Sequence, residues 1–479
     1  MPDRPNVLFL MVDQMQGRVL DPAHPCQAPS LRRLADRGVR FRRAVSTNAV
    51  CSPARAGIMT GLLPHSHGVL AVTHTVDDDQ CVLRTDRPHW AQHLRAAGYR
   101  TGYFGQWHVE RSGELERFGW DTHALLGSPQ WRERHAALRQ SIRADDGYVL
   151  ERHLSGMPGY KPGLFYGVTR TPPEQRAMGV TTSLAEDFLR AQTGGDDPWC
   201  CFVSIVEPHD PYVCGTEAFA RYDPDSIELP ENVRDPMLDK PGLYRKAARV
   251  FAEVTDDDRR HALACYWASI TELDALYGRL LDLLDETGQA DNTIVVFTGD
   301  HGDFMGAHGL YQKNVGAFDE AYNIPLLVAG PGVATGVTTD ARVSSHSLAP
   351  TLCELTGSEP LETGQSRSFA PVLRDPTCAA DYTTAYAEYF GTRYSLTQRV
   401  LWRGPWKLVW NGFDDDELYN LEDDPGELRN RINDPAAGAV LREMMAEAWR
   451  IVRDTNDHTL WKATYASLRL APFGQEILD

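Results

Sequence analysis

The sequence lacks a long apolar run, and this excludes a membrane-spanning helix. None of its 479 residues lies in a stretch that approaches the ~18 apolar residues needed to cross a bilayer. The apolar run at residues 7–12 ends at Asp13 and is shorter than the core of a signal peptide. We therefore expect a cytoplasmic protein with no membrane partner.

Positive charge is also scarce. The chain has 48 Lys and Arg against 66 Asp and Glu, which gives a formal net charge of −18. Binding of a polyanion requires clustered Lys and Arg, so we expect no nucleic-acid partner. A local basic pocket for one small anion stays compatible with this charge.

Cysteine pairs with metal-binding spacing are absent. The nine cysteines are an odd number without a CxxC pair, which indicates neither a disulfide framework nor a zinc ribbon. Most of them are expected to be buried apolar thiols. Cys51 is the exception, because of the residues around it.

Apolar runs alternate with helical patterns over most of the chain. These runs predict buried strands at residues 6–12, 100–104, 198–206, 293–298 and 325–329, and helices at 29–38, 93–98 and 260–287. The alternation predicts an α/β fold with a mostly parallel sheet flanked by helices. Asp13, His209 and Asp300 each follow a predicted strand, which is where open α/β sheets bind ligands.

The pattern changes near residue 375. Short strands are predicted at 383–389, 395–402 and 406–410, followed by a final helix at 436–453. We therefore predict a catalytic domain at residues 1–370 and a smaller α+β domain, an antiparallel sheet plus a helix, at 371–479.

Two acidic segments, Asp13-Gln14 and Asp300-His301, predict a metal site. A carboxylate after a buried strand is costly unless it is paired or bound to metal. Carboxylate and amide oxygens with one imidazole suit Ca²⁺, Mg²⁺ or Mn²⁺. Taken alone, either Asp could instead be a helix cap or a turn former.

A third segment, Cys51-Ser52-Pro53-Ala54-Arg55, has a cysteine at a predicted helix start. Alone it could be a capping thiol. Followed by residues 60–61 and 67–69, it resembles the signature of type I sulfatases. The resemblance continues along nearly the whole chain, at residues 98–101, 105–108, 207–212, 299–303, 308–309, 313, 406–408, 417–421 and 424–425.

This resemblance implies an alkaline-phosphatase-like fold and a sulfuric ester hydrolase that acts on a small anionic sulfate ester. In that family a formylglycine-generating enzyme converts the cysteine, here Cys51, to formylglycine. One hydroxyl of the hydrated aldehyde attacks sulfur, and the other then releases sulfate. One divalent metal is implied, Ca²⁺ or Mn²⁺ rather than Mg²⁺, and its site would be formed by Asp13, Gln14, Cys51, Asp300 and His301.

The resemblance also implies roles for five other side chains. Arg55 would hold the formylglycine hydroxyl, and His108 would be the base of the second step. His209, a candidate general acid, and Lys313 would contact the sulfate together with Gln106. Each histidine could instead be structural, Lys313 a solvated lysine, and Arg55 part of an ion pair on a helix surface.

Three positions depart from the common sulfatase pattern. Gln14 replaces a second Asp, and His301 replaces an Asn, as in choline sulfatases and phosphonate monoester hydrolases. Gln106 replaces a lysine, and loss of that cation disfavours dianions such as phosphate monoesters. Sulfate esters, phosphonate monoesters and phosphate diesters are all monoanions, so this substitution does not separate them.

Two alternatives therefore stay open. The first is a phosphonate monoester or phosphodiester hydrolase with the same machinery. The second is a catalytically silent binding protein. It is disfavoured because a binding protein needs no nucleophile, whereas this chain retains Cys51, Arg55, His108, His209 and Lys313. The alcohol half of the substrate and self-association into a homo-oligomer are also open.

Overall fold

The computed structural model describes residues 4–77, 83–84, 87–140, 147–313, 315–392, 396–461 and 471–478. Its strands are β1 (Asn6–Val12), β2 (Gly38–Val45), β3 (Arg100–Gly105), β4 (Thr122–Leu125), β5 (Tyr148–Leu154), β6 (Gly163–Thr169), β7 (Trp199–Ile205), β8 (Tyr212–Gly215), β9 (Thr293–Gly299), β10 (Leu326–Ala329), β11 (Val337–Ser344), β12 (Thr384–Tyr389), β13 (Gln398–Arg403), β14 (Trp406–Asn411) and β15 (Glu417–Asn420).

The helices agree with the predicted ones within a few residues where a prediction was made. They are α1 (Pro29–Asp36), α2 (Cys51–Thr60), α3 (Pro64–His67), α4 (Trp90–Ala96), α5 (Pro129–Gln140), α6 (Ala177–Ala191), α7 (Thr216–Phe219), α8 (Gly242–Ala248), α9 (Asp256–Glu286), α10 (Asp319–Tyr322), α11 (Leu348–Thr356), α12 (Ala370–Arg374), α13 (Gly438–Asp454) and α14 (His458–Trp461). Among the described helices, none is long and apolar enough to cross a membrane.

Eight strands form the central sheet, in the order β11-β2-β10-β9-β1-β7-β3-β4. All neighbouring pairs are parallel except those of β10, which runs antiparallel to β9 and β2. The predicted, mostly parallel sheet is therefore confirmed. The direction of β10 and the three strands β2, β4 and β11 were not predicted.

Both faces of this sheet are covered by helices, which explains why the strand β1 is apolar from Val7 to Val12. Residues Leu8, Leu10 and Val12 of β1 belong to one buried cluster, with residues of α1, α6 and α9. The alternate residues of β1 pack on the opposite face with α2, α4 and α11. With both faces excluded from water, the run has no polar position until Asp13, at the edge where the site forms.

The C-terminal region contains the predicted antiparallel sheet and final helix. Strands β12 to β15 pair in sequence order, and α13 packs its apolar face on them. Residue Ser395, at the start of one predicted strand, lies outside the described residues, and β13 begins at Gln398. Buried Lys407 of β14 joins this sheet to the catalytic region, because its Nζ lies 2.9 Å from Asp319 in α10.

A third sheet, of strands β5, β6 and β8, was not predicted. Strand β8 pairs in parallel with β6 and follows the loop that carries His209. The side chain of Tyr212 in β8 donates a hydrogen bond to Asp303, 2.9 Å away. This small sheet therefore supports two of the loops that form the site.

Candidate active site

The loops that follow β1, β7 and β9 meet at one edge of the central sheet. Asp13 donates its backbone N–H to Ile205 at 3.2 Å, and Asp300 donates its own to Val12 at 3.1 Å. Gln14 donates its backbone N–H to the Asp300 carboxylate at 3.1 Å. The parallel strands thus bring together residues almost 290 positions apart, as the sequence predicted.

Cys51 is the first residue of α2 and reaches this edge from the side. Its Sγ lies 3.5 Å from Oδ1 of Asp13 and 3.2 Å from Nε2 of His301. Ligand atoms of Asp13, Cys51, Asp300 and His301 lie within 4.8 Å of one another, and all four residues are buried. Four of the predicted site residues therefore form one cluster.

The charges around Cys51 favour its thiolate. Burial alone would raise the pKa of the thiol, but the positive charge of Lys313 and then that of His301 lower it. The neighbouring His108 and His209 add to this effect, so the pKa lies well below its usual value. The site is electropositive at the place where an attacking group and an anionic substrate would meet.

Arg55 lies one turn along α2 from Cys51 and is fully buried, so it is not part of an ion pair on a helix surface. Its Nε donates to Asp300 at 2.7 Å, and one terminal nitrogen donates to Asp13 at 3.2 Å and to Oε1 of Gln106 at 2.9 Å. The other terminal nitrogen donates to Ser204 Oγ at 2.8 Å and to the Gln106 carbonyl at 3.0 Å. All five N–H groups thus bind protein atoms, and Arg55 joins the two carboxylates.

The donor set of the cluster fits a divalent metal. His301 Nδ1 lies 2.8 Å from the Gly302 carbonyl, an arrangement that directs Nε2 towards Asp13. Burial, and next the charge of Asp13, raise the pKa of Asp300. Burial alone would lower the pKa of His301, but Asp300 and Cys51 raise it to about 9. A positive charge at the Nε2 position is therefore favoured. Two carboxylates and one imidazole nitrogen are suitable ligands for Mn²⁺ or Ca²⁺.

Lys313 and His209 contact each other near Cys51. The Nζ atom of Lys313 contacts Nε2 of His209 and lies 2.5 Å from Oε1 of Gln14. Burial lowers the pKa of Lys313, but the nearby Cys51 and Asp13 outweigh that effect and raise it. The lysine is therefore a buried cation and not the solvated side chain that a surface position would give.

Four polar residues that support these groups were not given a role from the sequence. Asp210 accepts hydrogen bonds from the amides of Gln14, at 3.0 Å, and Gln312, at 2.9 Å. Asp303 accepts from Gln14, from Tyr212 and from the backbone of Gln312. Gln14 and Gln312 have φ angles of 72° and 64°, in the left-handed region that is uncommon outside glycine. Gln14 remains a predicted metal ligand, and in this structure its amide belongs to the network around Asp210 and Asp303.

Gln106 and His108 lie in the loop that follows β3, and Gln106 contacts Arg55 of the site. Gln106 Nε2 lies 3.2 Å from His108 Nδ1, and His108 Nε2 lies 2.8 Å from Nδ1 of His74. His108 has a φ of 54°, also in the left-handed region. His74 is exposed at the edge of the site and lies in no recognised motif, so it could not be predicted from the sequence.

A model of the sulfatase family matches residues 5–358. The chain belongs to the sulfatase family. It is a sulfuric ester hydrolase of the alkaline phosphatase superfamily, as the sequence motifs predicted. A second model, described as the C-terminal part of N-sulphoglucosamine sulphohydrolase, matches residues 306–454.

Individual relatives cover nearly the whole chain. A choline-sulfatase of Rhizobium meliloti is 29% identical, over 93% of this chain and 87% of its own length. A multifunctional alkaline phosphatase superfamily protein of Trinickia caryophylli, PehA, is 26% identical, over 94% and 95% of the two chains. The solved structure of a phosphonate monoester hydrolase from Silicibacter pomeroyi has a TM-score of 0.79 and 25% identity, and the match covers 96% of this chain and 97% of that one.

Proposed function

We propose that this sulfatase hydrolyses a small anionic sulfate ester with a formylglycine nucleophile made from Cys51 and one divalent metal. The observation that carries the proposal is the position of Cys51, whose Sγ lies 3.5 Å from the carboxylate of Asp13 and 3.2 Å from the imidazole of His301. The charge of Lys313 also acts on this thiol. A formylglycine-generating enzyme is then a required partner, and we expect the enzyme to act in the cytoplasm.

Asp13, Asp300 and His301 would hold the metal, with Gln14 and the modified residue 51 as further ligands. The bound metal would supply Lewis acidity, which stabilises charge on the sulfate oxygens and lowers the pKa of the attacking hydroxyl. Arg55 joins the two carboxylates by donating a hydrogen bond to each.

The remaining side chains act on the substrate. Lys313 would bind a sulfate oxygen through its buried ammonium group. His209, in contact with Lys313, would donate a proton to the departing alcohol oxygen. His108 would accept the proton of the hydroxyl that remains at residue 51 once the alcohol has left. Gln106 would contact the substrate as a neutral group.

The charge at residue 106 is compatible with a second candidate function, hydrolysis of a phosphonate monoester or a phosphate diester. Gln106 stands where the common pattern has lysine, and its amide is held by Arg55 and His108, so it adds no positive charge. A site with one cation fewer suits monoanions, and phosphonate monoesters and phosphate diesters share that charge with sulfate esters.

Comparative kinetics separates these candidates. The enzyme, co-expressed with a formylglycine-generating enzyme, is assayed with an aryl sulfate, an aryl phosphonate monoester and a phosphate diester that have the same leaving group. We expect the largest kcat/KM for the sulfate. If the sulfate is the poorest of the three substrates, the proposed reaction is wrong.

The nucleophile is tested with two cysteine variants. Intact mass should show a loss of about 18 Da on conversion of Cys51, since formylglycine is lighter than cysteine by that amount. Cys51→Ala should abolish both the mass change and the activity. The control Cys378→Ala, at a partly buried cysteine outside the cluster, should retain both. A persistent thiol at position 51 in active enzyme would contradict the proposal.

A further inference from the structure

A chain of hydrogen bonds leads from buried Arg55 to the exposed ring of His74. Arg55 donates to Oε1 of Gln106 at 2.9 Å, and Nε2 of Gln106 lies 3.2 Å from Nδ1 of His108. Nε2 of His108 lies 2.8 Å from Nδ1 of His74. The chain therefore passes through both nitrogens of His108, the proposed base.

Arg55 determines which atom is the donor and which the acceptor in every one of these hydrogen bonds. A guanidinium has only donors, so it must face the oxygen of the Gln106 amide, and the NH₂ group must face His108. His108 Nδ1 is then an acceptor, and the ring proton of neutral His108 lies on Nε2. His74 Nδ1 accepts the hydrogen bond from that Nε2–H group, which places the proton of neutral His74 on its own Nε2.

We propose that His74 is a positioning residue for the sulfatase reaction, which holds the Nε2–H group of His108 so that Nδ1 is the basic atom. The inference rests on the proposed role of His108 as base. When the hydroxyl at residue 51 loses its proton, a new N–H bond forms at Nδ1 and the O–H electron pair becomes the C=O bond of the aldehyde. The C–O bond to sulfate breaks at the same time, and its electron pair leaves with the sulfate. The 3.2 Å hydrogen bond from Gln106 is lost in exchange.

The imidazolium that forms keeps its Nε2–H group bound to His74. A base that is oriented by a third group in this way is a recurring arrangement in enzymes with covalent intermediates. His74 differs from the carboxylate that often fills this place, because it is neutral and orients the ring without adding negative charge near an anionic substrate.

The surroundings of His74 suit this role. Its ring lies nearly parallel to that of His108, with centroids 4.9 Å apart and an angle of 20° between the planes. Partial burial, and next the positive charge that His108 carries when it is protonated, lower the pKa of His74, which favours the neutral ring whose Nδ1 can accept. Arg111 donates to the carbonyl of Thr73 at 2.6 Å and fixes the turn that carries His74.

The tautomer can be measured without catalysis. Long-range ¹H–¹⁵N spectra of ¹⁵N-histidine-labelled enzyme with unmodified Cys51 and no metal distinguish protonated from unprotonated ring nitrogens, and His108→Ala identifies the His108 signals. We expect His108 to be protonated at Nε2, and His74→Ala to give a mixture of tautomers. Protonation at Nδ1 in the parent enzyme, or an unchanged tautomer in His74→Ala, would overturn the inference.

A kinetic series on the modified enzyme tests the consequence. A general base contributes about 10²–10⁴-fold to a rate, so loss of its orienting partner in His74→Ala should lower kcat about 10-fold or more with little change in KM. His74→Gln, which keeps an acceptor oxygen, should recover most of that loss. His458→Ala, at an exposed histidine of α14, is the matched control and should leave kcat unchanged.

The double variant shows whether His74 acts through His108. In a His108→Ala background, His74→Ala should have no further effect on kcat, because the group it orients is gone. Additive effects, or a KM increase with unchanged kcat, would instead mean that His74 acts on the substrate directly and would overturn the inference. If His108→Ala itself leaves kcat unchanged, the proposed base is wrong, whereas an effect of His108→Ala without one of His74→Ala contradicts only the present inference.

Discussion

Replacement of Arg55 by methionine tests the electrostatic balance of the site. The guanidinium is fully buried and all its N–H groups bind protein atoms, two of them the carboxylates of Asp13 and Asp300. In Arg55→Met, both carboxylates and the Ser204 hydroxyl lose a buried partner. Removal of one partner from a buried ion pair costs about 3–5 kcal/mol, and we expect a loss of that size in the unfolding free energy of the metal-free enzyme.

Urea denaturation with and without Mn²⁺ measures this effect. A metal that binds only the folded state adds about 2.7 kcal/mol at 100 times its dissociation constant. Since Asp13 and Asp300 are less neutralised in Arg55→Met, Mn²⁺ should stabilise that variant more than the parent enzyme. The control is Arg33→Met, an exposed arginine paired with Asp282, for which less than about 1 kcal/mol is expected. An equally small loss for Arg55→Met, or no added stabilisation by Mn²⁺, would refute this reasoning.

Three further predictions concern other positions. Gln106→Lys adds a cation beside the substrate, so kcat/KM for an aryl phosphate monoester should rise relative to kcat/KM for the aryl sulfate. An unchanged ratio of these two values in matched assays would contradict the role given to residue 106. Lys407→Met leaves Asp319 and buried Glu427 without their cation, and urea denaturation should show a loss of about 3–5 kcal/mol, against almost none for a surface lysine. Burial would lower the pKa of His65, but Glu388 raises it above its usual 6.5. Its protonated form therefore stabilises the fold fully below about pH 6.5 and less as pH rises through the folded-state pKa, a dependence that His65→Gln should remove from urea titrations.

The central strands could be predicted because strands that are buried on both faces are continuous apolar runs in the sequence. The run at 6–12 is apolar on both faces, and Asp13 marks its end. The direction of β10 could not be predicted, because a run of four apolar residues looks the same in either orientation. Strand β5 was missed because most of it is exposed, so it lacks the apolar run used to detect the others.

The site was predicted as far as its residues lie in recognisable motifs. Cys51, Arg55 and Lys313 converge as the resemblance implied. Asp210 and Asp303 also lie in those motifs, but their support of Gln14 depends on contacts between residues that are 196 and 289 positions apart in the sequence. No local pattern encodes such contacts, and the same is true of the turn that brings His74 to His108.

The central claim is that an oxidised residue 51 and one divalent metal share a single cluster with Asp13, Asp300 and His301. Its most direct test is the anomalous scattering from a crystal of the formylglycine-containing enzyme loaded with Mn²⁺. The account predicts one strong peak within about 2.0–2.6 Å of both carboxylates and of the His301 Nε2 atom, with an oxygen of residue 51 as a further ligand. A peak elsewhere, with the cluster free of metal at full activity, would contradict it.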